Sequence, residues 1–171
     1  MTAPTTADGR PNVLQMYHIN INCSDFDRAL HFYELIGFRR IVDFNRRADG
    51  SPTQTFGAGG LGPILNLPDD CAGRAALLAL GDDPRATRLD LIEWKVPRSP
   101  ARGPRDLSHL GLARLCLKVR DCQPLYDSLV EHGYTVYSPP TRITLAGTYQ
   151  IVFCTEDPDG TVIEFMQFVK D

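Results

Sequence analysis

A chain of 171 residues with 43% apolar and 23% charged side chains can bury a substantial core and does not have the composition of a disordered segment. Its formal net charge of −3 supplies no field for nucleic acid or an anionic membrane, and its longest apolar run, 75–80, falls far short of the roughly 20 residues that span a bilayer. The five cysteines (Cys23, Cys71, Cys116, Cys122, Cys154) are odd in number and form no CxxC pair, which fits reduced thiols and a cytoplasmic setting.

Residues 1–12, rich in Thr, Ala and Pro and without an apolar stretch, read as a flexible tail and not as a secretory signal. The first element is a strand. Tyr17, Ile19 and Ile21 alternate with His18, Asn20 and Asn22, the period of a sheet with two unlike faces. Asp25 then stands as an N-cap before Ala29, Leu30, Phe32, Tyr33 and Ile36, whose spacing of three and four makes an apolar helical stripe. Gly37 ends that helix. Further strands are expected at 38–44, 75–80 and 89–94.

The same signals return later in the chain. Leu115, Leu117 and Val119 alternate with Arg114, Cys116 and Lys118, and after Asp121 come Leu125, Tyr126, Leu129, Val130 and Gly133. His18 and Arg114, Asp25 and Asp121, Gly37 and Gly133 each stand 96 positions apart. Strands at 135–137, 149–154 and 162–168 complete the second copy. Its closing stretch, Asp157-Pro158 leading to Thr161 and Glu164, matches Asp83-Pro84 leading to Thr87 and Asp90 at an offset of 74. The smaller offset places 22 additional residues in the first copy, within 43–73, as a binding lid or a plain insertion. The sequence therefore predicts an α+β domain of two βαβββ modules, 13–96 and 110–169, joined by a Pro-rich linker at 97–109.

These residues resemble the glyoxalase, bleomycin-resistance and extradiol-dioxygenase superfamily, also called the vicinal oxygen chelate superfamily. The resemblance is carried by the His18 to Asp25 strand, the Gly37-Phe38 helix stop and the Asp-Pro-Asp-Gly-Thr-Val-Ile-Glu-Phe run at 157–165, and it covers 13–169. It implies mixed sheets curved around a central cavity, a divalent metal (Fe, Mn, Ni, Co or Zn), a small-molecule ligand and a homodimer. The family's ligand positions fall here on His18, Asp90, Arg114 and Glu164. Arg114 departs from the pattern, because a guanidinium has no lone pair to offer a metal.

Two functions follow. With His18, Asp90 and Glu164 as metal ligands, the protein is a lyase or isomerase that stabilises an enolate, with Glu164 and Asp90 as the catalytic carboxylates. With Arg114 as the cation in place of the metal, it is a metal-free binding or antibiotic-sequestering protein. Asn20, Arg114, Trp94, Cys116, Met166 and Tyr149 are the expected substrate contacts, with Met16, Ile92, Phe168 and Gln150 beside them. Glu93 and Gln167 fall on the opposite strand face by alternation. His31, His109 and His132 lie in helix or loop positions out of phase with the site, and Gly57-Ala58-Gly59-Gly60 lacks the context of a phosphate loop.

Overall fold

The computed structural model describes residues 5–47, 49–53, 61–100, 107–108, 110–145 and 147–169, so His109 and the Gly57 to Gly60 run lie outside the described residues. The first module runs β1 (His18–Asn22), α1 (Phe26–Leu35), β2 (Arg39–Asp43), α2 (Leu61–Ile64), β3 (Ala72–Ala79) and β4 (Arg88–Val96). The second runs β5 (Arg114–Val119), α3 (Gln123–Glu131), β6 (Thr141–Leu145), β7 (Thr148–Glu156) and β8 (Val162–Phe168). Each forms a four-stranded mixed sheet, ordered β1-β4-β3-β2 and β5-β8-β7-β6. In both sheets the first strand is parallel to the last, and the other neighbours are antiparallel. The repeat read from the sequence is thus a repeat of topology.

Local chemistry accounts for the element ends. Asp25 caps α1 by accepting from the Arg28 amide at 3.0 Å, and Gly37 follows at φ 102°, where a side chain would be strained. The β3 run is buried on both faces from Ala75 to Ala79. One strand differs from expectation. The edge strand of the second sheet is Thr141–Leu145, whereas 135–137 makes only a single bridge from Val136 to Thr155. Pro139 and Pro140 interrupt the chain between the two stretches and offer no amide to a ladder, so pairing with β7 resumes after them.

Compactness divides the chain differently from sequence order. One unit takes 5–22 and 37–97 of the described residues, and the other takes 23–36 and 98–169, so α1 belongs with the second sheet. In that second unit Phe32 meets Tyr134 edge-on at 4.9 Å, and Tyr126 packs edge-on against the buried, stacked pair Phe153 and Phe165.

A carboxylate clamp fixes α1 there. The buried Tyr33 hydroxyl donates to Asp157 Oδ2 at 2.8 Å, while Asp157 Oδ1 accepts from the amides of Asp159 (2.9 Å) and Thr161 (2.7 Å). Asp159 in turn accepts from the amide of Ser24 and from Arg28 Nη2. The Asp-Pro-Asp-Gly turn therefore holds both itself and the start of the helix.

Burial pushes the Asp157 carboxyl above its ordinary 3.8, against the pull of these hydrogen bonds. A pKa raised in the folded state contributes stability below the unfolded value, and that stability is lost as pH rises through the folded value. Compared with Asp157→Asn, the native chain should therefore gain relative stability on acidification, read from urea unfolding at stepped pH. Tyr33→Phe should cost about 1–3 kcal/mol in the same measurement, the worth of a hydrogen bond to a buried charged group.

Candidate functional site

Period-2 alternation sorts each sheet into two faces, and residues paired in register share a face. In the first unit Ile21, Leu89 and Leu91 are buried on one face. His18, Asn20 and Asn22 of β1 lie on the other, beside Arg88, Asp90, Ile92 and Trp94 of β4. Asn20 Nδ2 donates to the Asp90 carbonyl at 3.0 Å, and Trp94 Nε1 donates to Asn22 Oδ1 at 3.0 Å. The half-buried Asp90 carboxyl accepts no hydrogen bond among the described residues. Burial raises its pKa above 3.8, and the charge of nearby His18 pulls the other way. Arg88 adds a buried Nη1 without a hydrogen-bond partner among the described residues, a donor that the sequence reading passed over.

In the second unit the equivalent face carries Arg114, Cys116 and Lys118 of β5, Glu164, Met166 and Phe168 of β8, and Gln150, Val152 and Cys154 of β7. Cys116, Glu164 and Cys154 stand side by side across three strands. Arg114 Nε donates to Glu164 Oε2 at 2.9 Å, with the arginine side chain 43% exposed and the glutamate 13%. Because only Nε is engaged among the described residues, the two terminal nitrogens of the guanidinium are left for a ligand. Glu164 raises the affinity of Arg114 for its proton. Burial, with the hydrogen bond to Glu164, pushes the Cys116 thiol up to about 11, and burial raises Cys154 as well. Both thiols are therefore held in the protonated form at neutral pH.

Tyr149 is the one expected contact that this geometry removes. Its phase is that of Ile151, Phe153 and Thr155, and Phe153 packs between Tyr126 of α3 and Phe165, so Tyr149 faces the helix side. There Arg142 stacks over its ring at 4.1 Å. Gln150 takes the place on the Arg114 face. Gln167 also behaves as alternation requires, accepting from the Cys122 amide at the start of α3. Glu93 is buried on the core-side phase of β4 and pairs with Lys95. His132 closes α3, its ring against the Ser128 carbonyl at 2.8 Å, and His31 is exposed on α1.

The model of the Glyoxalase/Bleomycin resistance protein/Dioxygenase superfamily matches residues 15–165. The chain belongs to this superfamily. Solved structures with the same fold include a glyoxalase family protein from Bacillus cereus (TM-score 0.75, 16% identity, covering 97% of this chain and 100% of that one). Two others are the trypanothione-dependent glyoxalase I of Leishmania major (0.56, 17%, 91% and 87%) and TnmS3, an antibiotic binding protein from Streptomyces (0.55, 21%, 92% and 98%). No curated protein sequence matches the chain. At these identities the superfamily's structures fix the fold, and the site must be argued from this chain's own residues.

A divalent metal does not suit the residues of the second unit. Glu164 already faces a permanent cation at hydrogen-bonding distance, so an ion placed on the same carboxylate would meet the guanidinium charge at close range. In the first unit His18 and Asp90 are two ligand-type side chains. Within neither unit do the described residues gather three of His, Cys, Asp and Glu around one point.

Two measurements check these electrostatics. His18→Gln removes the interaction that lowers Asp90 and should move its titration upward, read from side-chain carboxyl chemical shifts. Glu164→Gln removes a neighbour that holds the Cys116 proton and should bring that thiol below its value of about 11, seen as faster alkylation at mildly alkaline pH.

Proposed function

We propose that the protein binds a small organic acid directly through Arg114, without a metal ion, and that Glu164 is the positioning residue that holds the guanidinium. The observation that carries this reading is the 2.9 Å pair between Arg114 Nε and Glu164 Oε2. A side-on carboxylate partner orients the planar guanidinium and leaves its outer edge free, the edge that takes a second carboxylate or a phosphate in bidentate fashion. Met166 and Val152, half-buried in the next row of the sheet, supply the apolar surface for the body of such a ligand. The superfamily holds binding proteins as well as enzymes: the similar Streptomyces structure is described as an antibiotic binding protein.

The second reading is the metal-dependent lyase or isomerase. It is favoured by His18 and Asp90, which share a face and leave the Asp90 carboxyl without a hydrogen-bond partner among the described residues.

One experiment separates the two. Under the direct-binding reading the purified protein carries no stoichiometric metal, and its melting temperature is unmoved by Ni²⁺, Mn²⁺ or Zn²⁺. A panel of aliphatic and aromatic carboxylates raises the melting temperature. Arg114→Gln then weakens carboxylate binding about 10- to 100-fold, the loss of a charge-assisted contact of about 1.5–3 kcal/mol. A tightly held metal whose removal lowers the melting temperature, with carboxylate binding indifferent to Arg114→Gln, would sink the proposal in favour of the enzyme.

A further inference from the structure

Gln150 is the most deeply buried polar side chain on the Arg114 face of the second sheet, only 3% exposed. Its Nε2 donates to the Thr148 hydroxyl, but the buried Oε1 has no hydrogen-bond donor among the described residues. Leaving a buried amide oxygen unpaired is costly, and such atoms in folded proteins point to a water, an ion or a ligand. The register fixes where this atom stands. Glu164, which holds the Arg114 guanidinium, pairs with Cys154, whereas Phe168 of the same strand pairs with Gln150. Four strand residues therefore separate the two points, about 13 Å at the usual rise.

Between them lies the row of Val152 and Met166, with the exposed Lys118 of β5 beside Met166. Val152 pairs with Met166 in the intervening row, and Ile143 of β6 pairs with Gln150 at its end. Lys118 lies over the Phe168 ring at 5.0 Å, so its charge is turned onto an aromatic face. The face thus runs from a fixed cation, across Val152 and Met166 with the Lys118 side chain alongside, to an acceptor that lacks a hydrogen-bond donor among the described residues. Its complement is a molecule with the opposite order: an anion, an apolar body and a hydrogen-bond donor.

We infer that the ligand is an elongated amphipathic acid whose far end carries a hydroxyl or similar donor, received by Gln150 Oε1. This assignment rests on the reading of Arg114 as the anion-binding residue. An extended alkyl chain advances about 1.3 Å per carbon from bonds of about 1.5 Å, so roughly ten to twelve carbons span the distance.

Dodecanoate and ω-hydroxydodecanoate are suitable probes for calorimetric titration of the full chain. The hydroxylated acid should bind about tenfold more tightly than dodecanoate. Gln150→Met, which keeps the volume and removes the acceptor, should abolish the difference while leaving dodecanoate affinity within about twofold. Arg114→Gln should weaken both acids alike. Equal affinity of the two acids for the native protein overturns the Gln150 assignment by itself, whether or not the variant folds. If the two acids bind equally and Arg114→Gln still weakens both, the direct-binding reading survives that failure. If neither acid binds, the elongated ligand class is excluded, and shorter carboxylates in the melting experiment decide on Arg114.

Discussion

Parallel pairing of β5 with β8 places Arg114 beside Glu164, although fifty positions of chain separate them. No local signal could bring those charges together. The constraint is topological: the module's first strand must lie alongside its last, and both must present the same phase. Once that pairing exists, Leu115, Ile163 and Phe165 are committed to the core, and Arg114, Cys116 and Glu164 are committed to the opposite face. The β1 and β4 pair repeats the arrangement in the first sheet, where it sets His18 and Asn20 against Arg88 and Asp90.

An ion pair in this position behaves differently from one on an open surface. Glu164 is largely withdrawn from water, so leaving it without a counter-charge would be expensive, whereas Arg114 keeps enough exposure to remain hydrated on its outer edge. The pair is therefore polarised in role. One oxygen of the carboxylate holds its partner, and the guanidinium is fixed with part of its hydrogen-bonding capacity unspent. Burial, and after it the same carboxylate, raises the Cys116 thiol, so one acidic residue touches both the cation and the thiol beside it.

Much of this was legible in the sequence, and the part that was not has a physical cause. Alternation over 18–22 and 114–119 assigned His18, Asn20, Arg114 and Cys116 to one face because apolar and polar residues trade places there without exception. The offsets of 96 and 74 then supplied Asp90 and Glu164. Where alternation fails, the reading failed with it. Ile151, Val152 and Phe153 are three apolar residues in succession, so the strand has no visible phase, and Tyr149 was preferred to Gln150 as the contact. Only the packing of Phe153 on Tyr126 and Phe165 fixes which of them faces the helices. The displaced edge strand has a similar origin: Tyr134 to Tyr137 has strand-forming residues, but Pro139 and Pro140 shift the pairing to Thr141–Leu145. The attachment of α1 to the second unit was not legible at all, since its partners Tyr134, Asp157 and Asp159 lie about a hundred residues or more downstream.

The two sheets share a topology but have diverged in how completely their polar groups are satisfied. On the second sheet the charged pair is closed, and the unsatisfied atom, Gln150 Oε1, sits at the opposite end of the face. On the first sheet the unsatisfied groups gather near the start of the strands, where Arg88 Nη1 is buried without a hydrogen-bond partner among the described residues and the Asp90 carboxyl has only the charge of His18 to oppose its desolvation. The two modules share a topology, so this asymmetry lies in the residues each carries and not in the strand order. A closed ion pair gives a rigid, permanently charged anchor, because arginine holds its proton at any physiological pH. A half-buried aspartic acid near a histidine offers a group whose charge state changes in the acidic range. The second sheet thus carries a fixed charge and the first an adjustable one, although both are built on the same topology.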